Sequence, residues 1–79
     1  MKLSEAVSIR LTEIMNEHHI NQYQLSKLSG VAESSICDIR LQRNQSVQLR
    51  IIHALMDALE LGLNDFFDSP LFSRSNLPG

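Results

Sequence analysis

The chain has 79 residues, 43% of them apolar, which is an ordinary share for a globular protein, and a net charge of −2. That length allows one small domain with a core near the lower limit of independent stability. The single cysteine, Cys37, excludes an intramolecular disulfide, and the overall charge argues against a generic polyanion binder.

The charge is unevenly spread. From Ile39 to Ala54, Arg40, Arg43 and Arg50 stand without an acid and give +3. Met1 to Asp38 carries −2, with Lys2, Arg10 and Lys27 against Glu5, Glu13, Glu17, Glu33 and Asp38. Leu55 to Gly79 carries −3, with Arg74 against Asp57, Glu60, Asp65 and Asp68. The opening MKLSEAVSIR mixes charges with apolar residues and lacks a signal-peptide core. No apolar run reaches membrane-spanning length. A soluble cytoplasmic protein is the expectation.

In chain order, Ser4 to about His18 reads as a first helix. Ser4 is its expected cap, Glu5 suits its positive end, and Val7, Leu11, Ile14 and Met15 follow core spacing. Ile20 closes that layer. Asn21 can cap a second helix, with Gln24 reaching back as in a capping box. Leu25 and Leu28 are the apolar positions of this helix, and small Ser26 lets another helix cross closely. Gly30 stands at a sharp turn, where glycine takes the left-handed conformation without steric cost. Val31 plugs the corner. In a third helix Ile36 and Ile39, three apart, share one face. Glu33, Ser34, Cys37 and Asp38 are left on the other.

Leu41 to Gln45 is a polar loop apart from Leu41. Ser46 is the expected cap of a fourth helix to about Glu60, with Leu49, Ile52, Leu55, Met56 and Leu59 buried. After Gly62, Asn64 starts a short fifth helix through Phe67, with Phe66 inside. Ser69 to Gly79 is a tail in which Pro70, Leu71 and Phe72 can fold back and the last residues are expected to be mobile.

The ordered set Gln22, Leu25, Ser26, Gly30, Val31, Ile36 and Ile39 resembles the helix-turn-helix of the phage-repressor and Cro-type family. The likeness continues in Leu49, Ile52, Leu55, Ala58 and Leu59 and in Leu63-Asn64-Asp65-Phe66-Phe67. It therefore covers Val7 to Phe67. The resemblance implies an all-α fold, a compact five-helix bundle of the lambda-repressor-like kind. The domain would take residues 1–68, followed by a C-terminal tail, 69–79. It also implies sequence-specific binding of double-stranded DNA, often as a dimer, to regulate transcription.

In that family the first turn of the second motif helix enters the major groove. Carried over, Glu33, Ser34 and Asp38 become base-edge candidates, with Cys37 close by. Carboxylates can accept from the cytosine amino group and serine can read several bases. Both acids also repel phosphates, so a merely solvated helix face is the competing reading. Gln22, with Asn21, resembles the family's phosphate contacts at the start of the first motif helix, where backbone amides favour an anion. Lys27, Arg43, Asn44, Gln45, Ser46 and Arg50 are further phosphate candidates, Arg43 foremost.

Three departures from the family pattern stand out. Many members pair an arginine at the position of Met15 with a glutamate at the position of Arg40. Here both are changed, which leaves Arg40 for phosphate or a nearby acid. Gln42 replaces the usual glycine after the reading helix, so a different exit turn is expected. Ala32 replaces the usual serine or threonine cap, weakening the helix start by about 1 kcal/mol.

Other chemistry finds little support. An acidic neighbour, Asp38, argues against a reactive thiol at Cys37. Adjacent His18 and His19 cannot both reach one metal from a regular helix, and His53 lies far along the chain. No phosphate loop, nucleophile elbow or paired-carboxylate pattern is present. Neither an enzyme nor a bound cofactor is expected. The leading reading is a repressor-like DNA-binding regulator. The alternative is a protein-interaction module of antitoxin-like or anti-repressor type, which the acidic reading helix favours. A homodimer is expected, because Leu63, Phe66, Phe67, Leu71 and Phe72 look too apolar to be buried within one chain.

Overall fold

A computed structural model describes residues 1–43 and 46–77. Its elements are α1 (Leu3–Glu17), α2 (Gln22–Ser29), α3 (Glu33–Arg40), α4 (Leu49–Ala58), α5 (Leu63–Phe67) and a 3-10 turn (Pro70–Phe72). Among the described residues there is no strand. The all-α, five-helix architecture expected from the sequence is therefore present.

The core gathers one stripe from each helix. Leu11 and Ile14 of α1, Leu25 of α2, Ile36 of α3, Leu55 and Met56 of α4 and Phe66 of α5 are almost wholly buried. Full burial of each such side chain is worth about 1.5–3 kcal/mol before the entropy of ordering is subtracted. The resulting body measures 35 × 23 × 20 Å. No helix is long and apolar enough to cross a membrane among the described residues.

Helix starts depart from the expected caps. α1 begins after Lys2, whose carbonyl accepts from the Glu5 and Ala6 amides. Ser4 lies inside the helix and is buried, because it shares the inward stripe with Val7, Ser8 and Leu11. α4 begins at Leu49, not at Ser46. Val47 packs against the core and holds the approach extended, and the Gln48 carbonyl accepts from Ile51 and Ile52. Leu49 is consequently 61% exposed. It occupies the first turn, beside Leu3 at the start of α1, and the two border an apolar cleft with Val7, Val47, Ile52 and Phe67. α5 starts one residue earlier than expected, and the Asp65 carboxylate accepts from the Gly62 amide at 2.8 Å.

The ends of α1, α3 and α4 share one device. After α1, the amides of His19 and Ile20 donate back to Asn16 and Met15. After α3, those of Gln42 and Arg43 donate to Ile39 and Asp38, and after α4 those of Glu60 and Leu61 donate to Asp57 and Met56. This is the Schellman pattern, with a left-handed residue just past the helix. Glycine is usual there, yet the positions hold His19, Gln42 and Glu60 at φ of 52°, 56° and 60°. The exit from α3 thus keeps the glycine-type turn that Gln42 was expected to change.

The C-terminal segment folds onto the body. Phe66, Phe67 and Phe72 stack edge to face or tilted at centroid distances of 4.9–5.8 Å, and the 3-10 turn lies against α1. Leu63, Phe67, Leu71 and Phe72 are half-buried and Phe66 is buried. The apolar stretch thought too rich for one chain packs largely on itself. Arg10 fastens this end: Nε and Nη2 donate to the carbonyls of Phe66 and Asp65, both at 2.8 Å, and Nη1 lies 3.4 Å from Glu13. A cation on the last carbonyls of α5 satisfies orphan acceptors and suits the helix's negative end.

Candidate nucleic-acid interface

α2 starts on a complete capping box. The Asn21 side chain accepts from the Gln24 amide at 2.8 Å, and Gln24 Oε1 accepts from the Asn21 amide at 3.0 Å. Gly30 ends the helix at φ 77°, with its amide on the Ser26 carbonyl. The corner is pinned by side chains as well. Ser26 Oγ donates to the Val31 carbonyl at 2.6 Å, and Ser29 Oγ accepts from the Val31 amide at 3.1 Å. Ser26 therefore does more than leave room. Leu28 differs from its expected role: it is 60% exposed, because only Leu25 of that helix reaches the core. It borders a shallow groove with Ile20, Tyr23 and Lys27, where the Lys27 ammonium sits 5.3 Å from the Tyr23 ring centroid.

α3 is held from its inner side. Ile36 and Ile39 are buried, and Ser8 Oγ of α1 donates to the Arg40 carbonyl at 2.6 Å. Its start has no side-chain cap, since Ala32 offers none. The outer side carries Glu33 and Ser34, both exposed, and Cys37 and Asp38, both half-buried. The four base-edge candidates thus share one accessible face. Leu41 belongs beside them, at 57% exposure and seven residues after Ser34. Its helical register was the available signal, and reading it only as a loop residue concealed it.

The basic candidates separate into different environments. Arg43, 62% exposed, pairs with Asp38 at 3.3 Å, so the acid on the outer face of α3 is met by a neighbouring cation. Arg50 is exposed and its Nε donates to Gln48 Oε1 at 2.7 Å. Arg40 is not free. It is half-buried, donating through Nη1 to Gln22 Oε1 at 2.9 Å and through Nε to Thr12 Oγ1 at 3.3 Å. It thereby ties α3 to α2 and α1. Thr12 went unnoticed in the sequence, because its role exists only once α1 lies beside α3. Asn44 and Gln45 lie outside the described residues. Among the described residues, no three His, Cys, Asp or Glu side chains gather as a metal-binding group.

The helical order, the glycine corner and the inward Ile36 and Ile39 define a helix-turn-helix within a five-helix domain. The family model of the Cro/C1-type HTH DNA-binding domain matches residues 10–70. The chain belongs to that family. Searches of curated proteins and of solved structures found no match.

Proposed function

We propose that this domain binds double-stranded DNA sequence-specifically and regulates transcription in the manner of a repressor, with α3 in the major groove. The observation that carries the reading is the build of α3. Ile36 and Ile39 fix its inner side, while Glu33, Ser34, Cys37 and Asp38 form an outer face directly followed by Arg43. Base edges would meet Glu33, Ser34, Cys37 and Asp38. Phosphates would meet Asn21, Gln22, Lys27, Arg43, Asn44 and Arg50, with Arg40 behind Gln22.

A homodimer is part of the proposal. An eight-residue helix is about 12 Å long, little more than three base-pair rises, so one copy reads too short a sequence to define a unique site. Exposed Leu3 and Leu49, which border one apolar cleft, offer surface for a second copy. A cytoplasmic, non-catalytic protein without a cofactor completes the reading. The net charge of −2 and exposed Glu33 favour the second reading, a protein-binding module on the same fold. Selection of bound fragments from sheared genomic DNA at moderate salt tests the two. One enriched site supports the regulator, whereas no enrichment over the input supports the module.

A further inference from the structure

We infer that Arg40 is a positioning residue for DNA binding: it fixes the Gln22 side-chain amide so that the NH2 group faces the phosphate backbone. The inference rests on the DNA-binding reading and gives Arg40 a role through Gln22 in place of a direct phosphate contact.

The argument begins with donor chemistry. A guanidinium has only N–H donors, so the Gln22 atom 2.9 Å from Arg40 Nη1 must be the carbonyl oxygen. That choice settles the amide's orientation. With Oε1 turned towards Arg40, the planar group presents Nε2 on its other side. Arg40 is itself held: Nε bonds Thr12 Oγ1, its backbone carbonyl takes the Ser8 hydroxyl, and the residue is half-buried. No carboxylate lies within ion-pair distance of it among the described residues. Two neutral acceptors therefore hold the cation, and its charge remains available behind the amide it polarises.

Gln22 is the first residue of α2. In the capping box, Asn21 takes the Gln24 amide with its side chain and the Leu25 amide with its carbonyl. Helix geometry leaves the Gln22 and Tyr23 amides as the outward donors of that end. A fixed Nε2 adds a third donor of defined direction. An unfixed glutamine samples both amide orientations, and one of them offers an oxygen to the phosphate.

The test is a double-mutant cycle on DNA affinity, using the full chain and the enriched duplex, with Gln22→Ala, Arg40→Met and the double variant. Positioning makes the losses overlap. Arg40→Met weakens binding about tenfold in the parent and less than about twofold when Gln22 is already alanine. Equal losses in both backgrounds would overturn the inference by making Arg40 an independent contact. Arg40→Lys keeps the charge without the planar fork, so binding below the parent level is expected. Parent-level binding by Arg40→Lys would show that the planar two-point hold on Gln22 and Thr12 is not needed and would overturn it too. This variant replaces Arg40→Met in the cycle if the latter melts below the assay temperature. Nitrogen relaxation of the Gln22 side-chain amide gives the structural readout. It should be ordered in free parent protein and mobile in Arg40→Met, and equal mobility in the two would count against the inference. Parent protein that binds no duplex refutes the underlying DNA-binding reading, an outcome distinct from measurable binding with additive losses.

Discussion

Gln42 occupies a backbone conformation at φ 56° that glycine adopts freely and other residues adopt at a cost of about 1–2 kcal/mol. His19 and Glu60 do the same at the ends of α1 and α4. Part of that cost returns on substitution, because glycine gives up more chain entropy on folding. Gln42→Gly and Glu60→Gly should each stabilise the fold by about 0.5–1 kcal/mol, raising the melting temperature by about 2–8 °C in calorimetry. Unchanged or lower melting temperatures would mean that these turns carry no such strain. Arg10 should matter in the opposite direction. Arg10→Met removes two charge-assisted bonds to the end of α5 and should cost about 1–3 kcal/mol by urea titration. At this scale the sequence was legible where a residue's own chemistry decides its place, as at Asn21, Gln24 and Gly30. It was misleading at Ser4 and Ser46, where cap chemistry was overruled by inward packing of Ser4 and Val47. Arg10, Arg40 and Thr12 were illegible in their roles because their partners lie 18 to 56 residues away.

α3, the helix proposed to enter the major groove, is stable only through its neighbours. Eight residues are too few for an isolated helix in water, and Ala32 supplies no cap. Ile36→Ala should therefore cost about 2–5 kcal/mol, a large fraction of the stability of so small a domain. A chemical-denaturation midpoint within error of the parent's would mean that α3 does not depend on the core. Ala32→Ser should restore a side-chain acceptor for the first turn and add about 1 kcal/mol, measured in the same titration. The start of α2 and the turn into α3 were legible in the sequence, because the capping box at Asn21 and Gln24, the glycine at Gly30 and the spacing of Ile36 and Ile39 agree there. α4 was placed too long at both ends. Its apolar pattern runs past the helix in each direction, with Val47 packed on the core before the first turn and Leu59 packed on it just beyond the last.

For the whole molecule, charge placement outweighs the net charge of −2. Arg43 and Arg50 lie after α3, and Arg43 also offsets Asp38 at 3.3 Å. Arg43→Ala should weaken binding to every duplex and reduce the log–log salt slope by about one. Asp38→Asn should strengthen binding to unrelated DNA while costing about 1–3 kcal/mol at a site where the carboxylate meets cytosine. Sedimentation on and off DNA addresses assembly, with a homodimer expected on a site whose halves lie about one helical turn apart. A monomer at high concentration that protects a single half-site would rule the dimer out. The fold was legible at this scale because five apolar stripes and a glycine corner occur in the family's order. The exposed apolar positions were not, since the phenylalanine-rich end packs on itself while Leu3, Leu28, Leu41 and Leu49 stand exposed.

Sequence-specific binding of DNA is tested most directly by titrating the parent protein against the enriched duplex and a scrambled one at two salt concentrations. Sequence-specific binding predicts an affinity for the enriched duplex at least about a thousandfold higher, with both affinities falling as salt rises. Equal affinity for the two duplexes at both salt concentrations would contradict it.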